Sequence, residues 1–177
     1  MRVKGIIDED LVNYKKPSMV IMTPICTFKC DKECGRQVCQ NGALATSPNI
    51  EVCPKGLIQR YIGNPITQAI IFAGLEPLDN FVDVFECGYM LRQNGCTDDI
   101  VIFTGYTEDE VANMYVGLQP GAQESYLNLI KQHLAPAVVK YGRFIPDGQP
   151  HYDEVLGVNL SSDNQYAKRY DSEIKDN

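Results

Sequence analysis

The chain has 177 residues, with 16 basic against 23 acidic side chains and a formal net charge of −7, a balance that argues against a nucleic-acid or anionic-membrane surface. No apolar run approaches the ~20 residues that span a bilayer, and the opening MRVKGIIDEDL turns acidic where a secretion signal carries its apolar stretch. A cytoplasmic protein of one ordinary domain is expected, long enough to fold without a disulfide or metal staple.

In chain order, Met19–Met22 (MVIM) is the first buried-strand candidate, closed by Thr23-Pro24. Gln68–Ala73 is the second, Asp99–Phe103 the third and Ala137–Lys140 a fourth. Their continuous apolar character suits strands covered on both faces of a parallel sheet. Between them, Leu78–Gln93 repeats apolar residues at helical spacing. Thr107 with Glu110 three residues on reads as a capping box opening a helix to about Tyr115. Ser125–Leu134 is a further short helix. Strand–helix alternation predicts an α/β fold with a mostly parallel sheet. At this length a βα barrel is expected to be partial, since a full one takes about 250 residues. The body is expected to end at residue 167, with 168–177 (KRYDSEIKDN) a charged tail.

Seven cysteines are present, five of them between Cys26 and Cys53. An odd, crowded set fits a disulfide framework poorly and points to metal in a reducing compartment. The segment CTFKCDKECGRQVCQNGALA follows the first strand, where α/β folds build their ligand sites. Thiolates are soft donors for zinc or iron–sulfur clusters. The paired Cys-x-x-Cys steps usual in structural zinc sites are missing from it. Zinc, free thiols and an iron–sulfur cluster all remain open on composition alone. Cys87 and Cys96 flank an apolar helix and read as small buried hydrophobes. With Cys34 and Cys53 they are too scattered to suggest a second cluster.

Cys26-Thr27-Phe28-Lys29-Cys30 resembles the opening of the radical S-adenosylmethionine signature, and Cys39-Gln40-Asn41 resembles its close in the activating proteins of anaerobic ribonucleotide reductases. Two cysteines compete for the third position. Cys34 is nearer the usual spacing but follows Glu33, whereas Cys39 follows the apolar Val38. Cys26, Cys30 and Cys39 are the expected metal ligands, with Cys34 the alternative third. Phe72-Ala73-Gly74-Leu75-Glu76-Pro77 resembles the superfamily's Gly-Gly-Glu-Pro segment, with Leu75 in place of the second glycine. On its own this segment reads equally as a strand-to-helix turn. Asp10–Tyr14, Phe103–Thr107, Tyr141–Phe144 and Ser161–Gln165 are similar to further activase segments.

The resemblance implies a [4Fe-4S] cluster with one open iron, to which S-adenosyl-L-methionine binds. It implies that Gly74, Glu76 and Pro77 hold the methionine ammonium and that Thr104, Gly105, Asn164 and Gln165 wall the nucleoside. Reductive cleavage by an external electron donor would give a 5′-deoxyadenosyl radical, used to generate a glycyl radical on a reductase-like partner enzyme. A short radical enzyme acting on a small molecule, such as a deazapurine precursor, is the rival within the superfamily. A non-catalytic zinc or iron–sulfur module is the rival outside it.

Overall fold

The computed structural model describes residues 1–119 and 122–171. The four apolar runs become the strands β2 (Ser18–Thr23), β3 (Ala69–Gly74), β4 (Asp99–Phe103) and β5 (Ala137–Tyr141). They pair in parallel, each with the next. Two edge strands were not legible as apolar runs: β1 (Gly5–Asp10) and β6 (Tyr166–Tyr170). Each lies antiparallel on its neighbour, so the six-stranded sheet reads β6-β5-β4-β3-β2-β1. β1 ends in three acids and β6 carries Lys168 and Arg169, charges that discourage pairing with a further chain. The class is α/β with a mostly parallel sheet, and among the described residues β1 and β6 do not pair to close a barrel.

Both faces of the sheet are covered, which is why the central strands are apolar throughout. On one face Met19, Ile21, Ile70, Phe72, Ile100 and Ile102 meet the helices α3 (Pro54–Ile62) and α4 (Phe81–Gln93) through Leu57, Ile58, Phe81, Val84 and Leu91. On the other, Val20, Ile71, Val101 and Val138 meet Tyr14, Leu156 and Leu160. Leu156 is the turn of a small antiparallel ribbon, His151–Asp153 against Val158–Leu160. That second covering is thin, and it leaves room for a cavity at the strand ends.

The expected helix from Leu78 begins instead at Phe81, after a 3₁₀ turn over Pro77–Asn80. The expected capping box is present, Thr107 and Glu110 bonding each other's backbone N–H, but its helix α5 spans only Glu108–Ala112. Tyr115–Gln119 then pairs with Ala122–Ser125 as an antiparallel ribbon, so the predicted helix to Tyr115 is too long. Ser125 caps Tyr126–Leu129, which continues as a π-turn to Leu134. Lys168–Tyr170, placed in a charged tail by their sequence, belong to β6; residues 172–177 lie outside the described residues. Among the described residues no helix is long and apolar enough to cross a membrane.

At the amino-terminal end of β4, Asp99 is buried and accepts bonds from the Tyr14 hydroxyl, Lys16 and Arg169. Burial works to raise its pKa, but bonds from Lys16, Arg169 and Tyr14 outweigh it and hold the carboxyl below its ordinary range. Asp99 therefore ties the β1–β2 connection and the β6 edge to the sheet. Asp99→Ala is expected to lower stability by about 2–4 kcal/mol, the lower side of a buried-pair loss because Lys16 and Arg169 can rehydrate. Urea denaturation checks this, and an unchanged midpoint would remove Asp99 from the account of the fold.

Candidate iron–sulfur site

The parallel register sets Thr23 beside Gly74 and Phe103 beside Lys140, so the loops after β2 to β5 open at one end of the sheet. Gly74 stands at φ 92°, and a Cβ there would come within 2.9 Å of Met22 Cα. Only glycine lets β3 run this close to the strand that leads into the cysteine loop.

The cysteine loop begins after Pro24. Phe28 adopts the left-handed conformation at φ 52°, and its N–H donates to Cys26 Sγ at 3.1 Å. Helix α1 (Lys29–Cys34) follows, then α2 (Gly42–Thr46). Asn41 Nδ2 donates to the Gly74 carbonyl at 2.7 Å, fastening the end of the loop to β3. Asp79 makes a second tie, accepting from the Thr27 N–H at 2.7 Å and the Tyr106 hydroxyl at 2.6 Å. Asn80 makes a third, its side chain reaching the carbonyls of Ile25 and Glu76.

Glu76 is only 8% exposed. Its Oε1 accepts from Leu78 N–H at 3.0 Å and Thr104 Oγ1 at 2.7 Å, and its Oε2 accepts from Gly105 N–H at 2.8 Å. Burial pushes its pKa up to about 7, against the pull of those three bonds and with a small push from Asp79. Lys140 faces the same space from β5. Burial pushes it down to about 8, while the nearby Glu76 carboxylate works to keep it charged. Lys140 Nζ donates to the Gly142 carbonyl at 2.9 Å, so acid and base at this strand-end cavity are each hydrogen-bonded, yet among the described residues neither forms the ion pair that burial of charge favours.

The cavity holds about 360 Å³. Cys26, Cys30, Cys39, Gly74, Glu76, Thr104, Gly105, Lys140 and Gln165 all line it. Three residues of the sequence expectation stand elsewhere. Pro77 is buried at the start of the 3₁₀ turn. Asn164 lies in an adjoining groove, where its side chain donates to the Arg143 carbonyl at 2.9 Å. Cys34 is exposed on that same groove. Sequence reasoning missed Lys140, because a lone lysine ending an apolar strand reads as a solvated strand end.

It also missed Arg143. This residue bonds Glu110 through both terminal nitrogens, at 3.0 and 2.7 Å, and reaches Glu33 of α1 at 3.4 Å. The Arg143 bond holds the Glu110 carboxyl down to about 2. Lys29 and Arg143 both sit against the Tyr106 ring, at 4.7 and 5.5 Å from its centre. This group joins α1, α5 and the turn after β5 into one wall.

The donor set fits an iron–sulfur cluster. All three cavity cysteines are free thiols, half-buried rather than exposed. Burial pushes Cys26 up to about 12; burial, Cys39 and Asp31 push Cys30 up to about 11. Both are thiols at neutral pH before metal arrives, so loading must release protons. Among the described residues no three ligating side chains already converge on the point a single ion needs. A cubane does not ask for that convergence, since each thiolate meets a different iron. No curated protein and no solved structure matches the chain. The family model described as a 4Fe-4S single cluster domain matches residues 18–163, from the first residue of β2 to beyond the ribbon, and the chain belongs to that iron–sulfur family.

Proposed function

We propose that the protein is a radical S-adenosylmethionine enzyme of the glycyl-radical-activating type. The observation that carries this reading is one cavity lined at once by three free thiols, a buried carboxylate and a half-buried lysine. When bound, the cluster supplies an electron, taken from an external donor, that splits S-adenosylmethionine into methionine and a 5′-deoxyadenosyl radical, and hydrogen transfer from a partner's backbone glycine then leaves 5′-deoxyadenosine and a glycyl radical.

The chain's own residues have distinct tasks. Ionised Glu76 receives the methionine ammonium, since charge-assisted hydrogen bonds are the strong ones away from water. Thr104 and the Gly105 N–H fix that carboxylate in place. Lys140 meets the methionine carboxylate from β5, two strands along the same sheet. Gln165 is pinned by Ser161 N–H and the Gly142 carbonyl and forms a rigid part of the nucleoside wall.

About 360 Å³ is near the lower end for a site that encloses one drug-sized ligand. A nucleoside seated in it would leave the reacting group to be presented at the mouth. Val12 lines that mouth and is 73% exposed, with Leu11 beside it 69% exposed. A glycine loop of a protein partner suits this arrangement better than a small substrate.

The test is anaerobic reconstitution with iron and sulfide, followed by dithionite and S-adenosylmethionine. Release of 5′-deoxyadenosine is expected. A colourless protein that retains one zinc and releases none overturns the reading. A glycyl signal by electron paramagnetic resonance that needs a glycyl-radical partner tests the activating role.

A further inference from the structure

Eight residues, 31–38, separate Cys30 from Cys39, and Cys34 among them is a second candidate for the third ligand. Cys30 and Cys34 stand four residues apart on α1, which places them one above the other on one helix face. By that measure Cys34 is the more natural neighbour of Cys30. The structure nevertheless leaves Cys34 exposed on the outer groove, which Cys30 also borders, and brings Cys39 beside Cys26 and Cys30 in the cavity.

Beyond the Asn41 tie to β3, one side chain holds the approach to Cys39. Asp31 Oδ1 accepts from the Val38 N–H and the Cys39 N–H, both at 2.8 Å. After α1 the backbone reverses at Gly35, which sits in the left-handed region at φ 65°. The chain then travels out through Arg36 and Gln37 and is caught by Asp31 on its return. Two consecutive N–H groups on one oxygen set the direction of the backbone entering Cys39. Cys30 Sγ lies 3.8 Å from the same oxygen, so the clamp and the second cysteine share an anchor.

We propose that Asp31 is a positioning residue that closes the residue 31–39 loop and so makes Cys39, not Cys34, the third cluster ligand. This rests on the iron–sulfur reading of the cavity. Without the clamp, the backbone of Cys39 loses its fixed direction, while Cys34 stays on the same helix turn as Cys30 and takes its place. Both bonds go to Oδ1, so an amide oxygen can replace the carboxylate without loss.

The experiment loads the full chain with iron and sulfide, alkylates it with iodoacetamide and maps the reacted cysteines by mass spectrometry. In the unaltered protein Cys39 should be protected and Cys34 labelled. In Asp31→Ala the pattern should reverse, with Cys39 labelled at least roughly 10-fold faster, as losses of outer-shell support produce. Asp31→Asn should restore the original pattern. Asp31→Ala/Cys34→Ala should load no cluster, whereas Cys34→Ala alone loads fully. Full loading of the double variant, or Cys39 still protected in Asp31→Ala, overturns the proposal. Asp31→Asn behaving like Asp31→Ala also overturns it, because the oxygen geometry is then not what matters. Labelling of Cys39 in the loaded, unaltered protein is a different failure: it removes Cys39 from the ligand set and leaves Asp31 no ligand to position.

Discussion

Alanine in place of Cys26, Cys30 or Cys39 is expected to abolish the cluster, each variant losing the visible absorbance and at least roughly tenfold of the bound iron. Each of the three thiols lines the same cavity. While Asp31 closes the loop and Cys34 stays on the outer groove, a four-iron cluster held by three protein sulfurs would have no reserve, and a second vacant corner would open it to chelators and oxygen. Cys34→Ala is expected to keep full iron, because its thiol is exposed on the outer groove. Cys53→Ala and Cys87→Ala serve as controls; the first thiol is exposed before α3 and the second is buried in α4. Iron and sulfide analysis after anaerobic reconstitution decides the matter. The ligand set is wrong if Cys34→Ala loses the cluster while Cys39→Ala retains it.

Glu76 carries the second large effect. In Glu76→Ala the Thr104 hydroxyl and the N–H groups of Leu78 and Gly105 lose their acceptor. Each orphaned buried group costs about 1–3 kcal/mol, so a total loss of about 3–5 kcal/mol is expected, with some relaxation. The pH dependence has a definite sign. Burial raises the folded-state pKa to about 7, against an ordinary value of 4.5. The protonated acid is therefore favoured by folding. Its stabilising contribution is fully present below about pH 4.5 and lost as pH rises through 7, a change of about 3 kcal/mol. Urea midpoints of the metal-free chain should fall between pH 5 and 8, and Glu76→Gln should remove most of that fall. Lys140, held down to about 8, alters the balance only above that range. Equal slopes for the two proteins would mean that Glu76 is not the group responsible. At neutral pH the ionised carboxylate is thus held at a cost that a bound ammonium relieves.

The sheet was legible because its central strands are buried on both faces and therefore apolar without interruption. All four were found within a residue or so of their ends. The edge strands escaped notice for the converse reason: GIIDED and YAKRY have one side free, and their charges mask the period. The helix α3 was missed because Cys53-Pro54 reads as a loop, although proline is at home in a first helical turn. At the site, the cysteines and Glu76 were visible because thiols and a Gly-x-Glu-Pro turn are rare enough to stand out. Asp31, Lys140 and Arg143 were not. An aspartate between lysine and cysteine, a lysine ending a strand and an arginine in a turn all have ordinary surface explanations. Only the fold reveals that Lys140 and Arg143 line the cavity and that Asp31 holds the loop bringing Cys39 to it.

The strand order has a consequence for synthesis. Because the sheet reads in unbroken chain order, each strand leaving the ribosome docks on the one made just before it, and the sheet grows from a single side. The sulfur-bearing loop and Glu76 emerge early, whereas Lys140 and Arg143 belong to the last third of the chain. A nascent chain halted near residue 105 already carries its thiols on a four-strand platform with the far wall still missing. That interval is when the site stands most open to iron–sulfur delivery, and equally to oxygen.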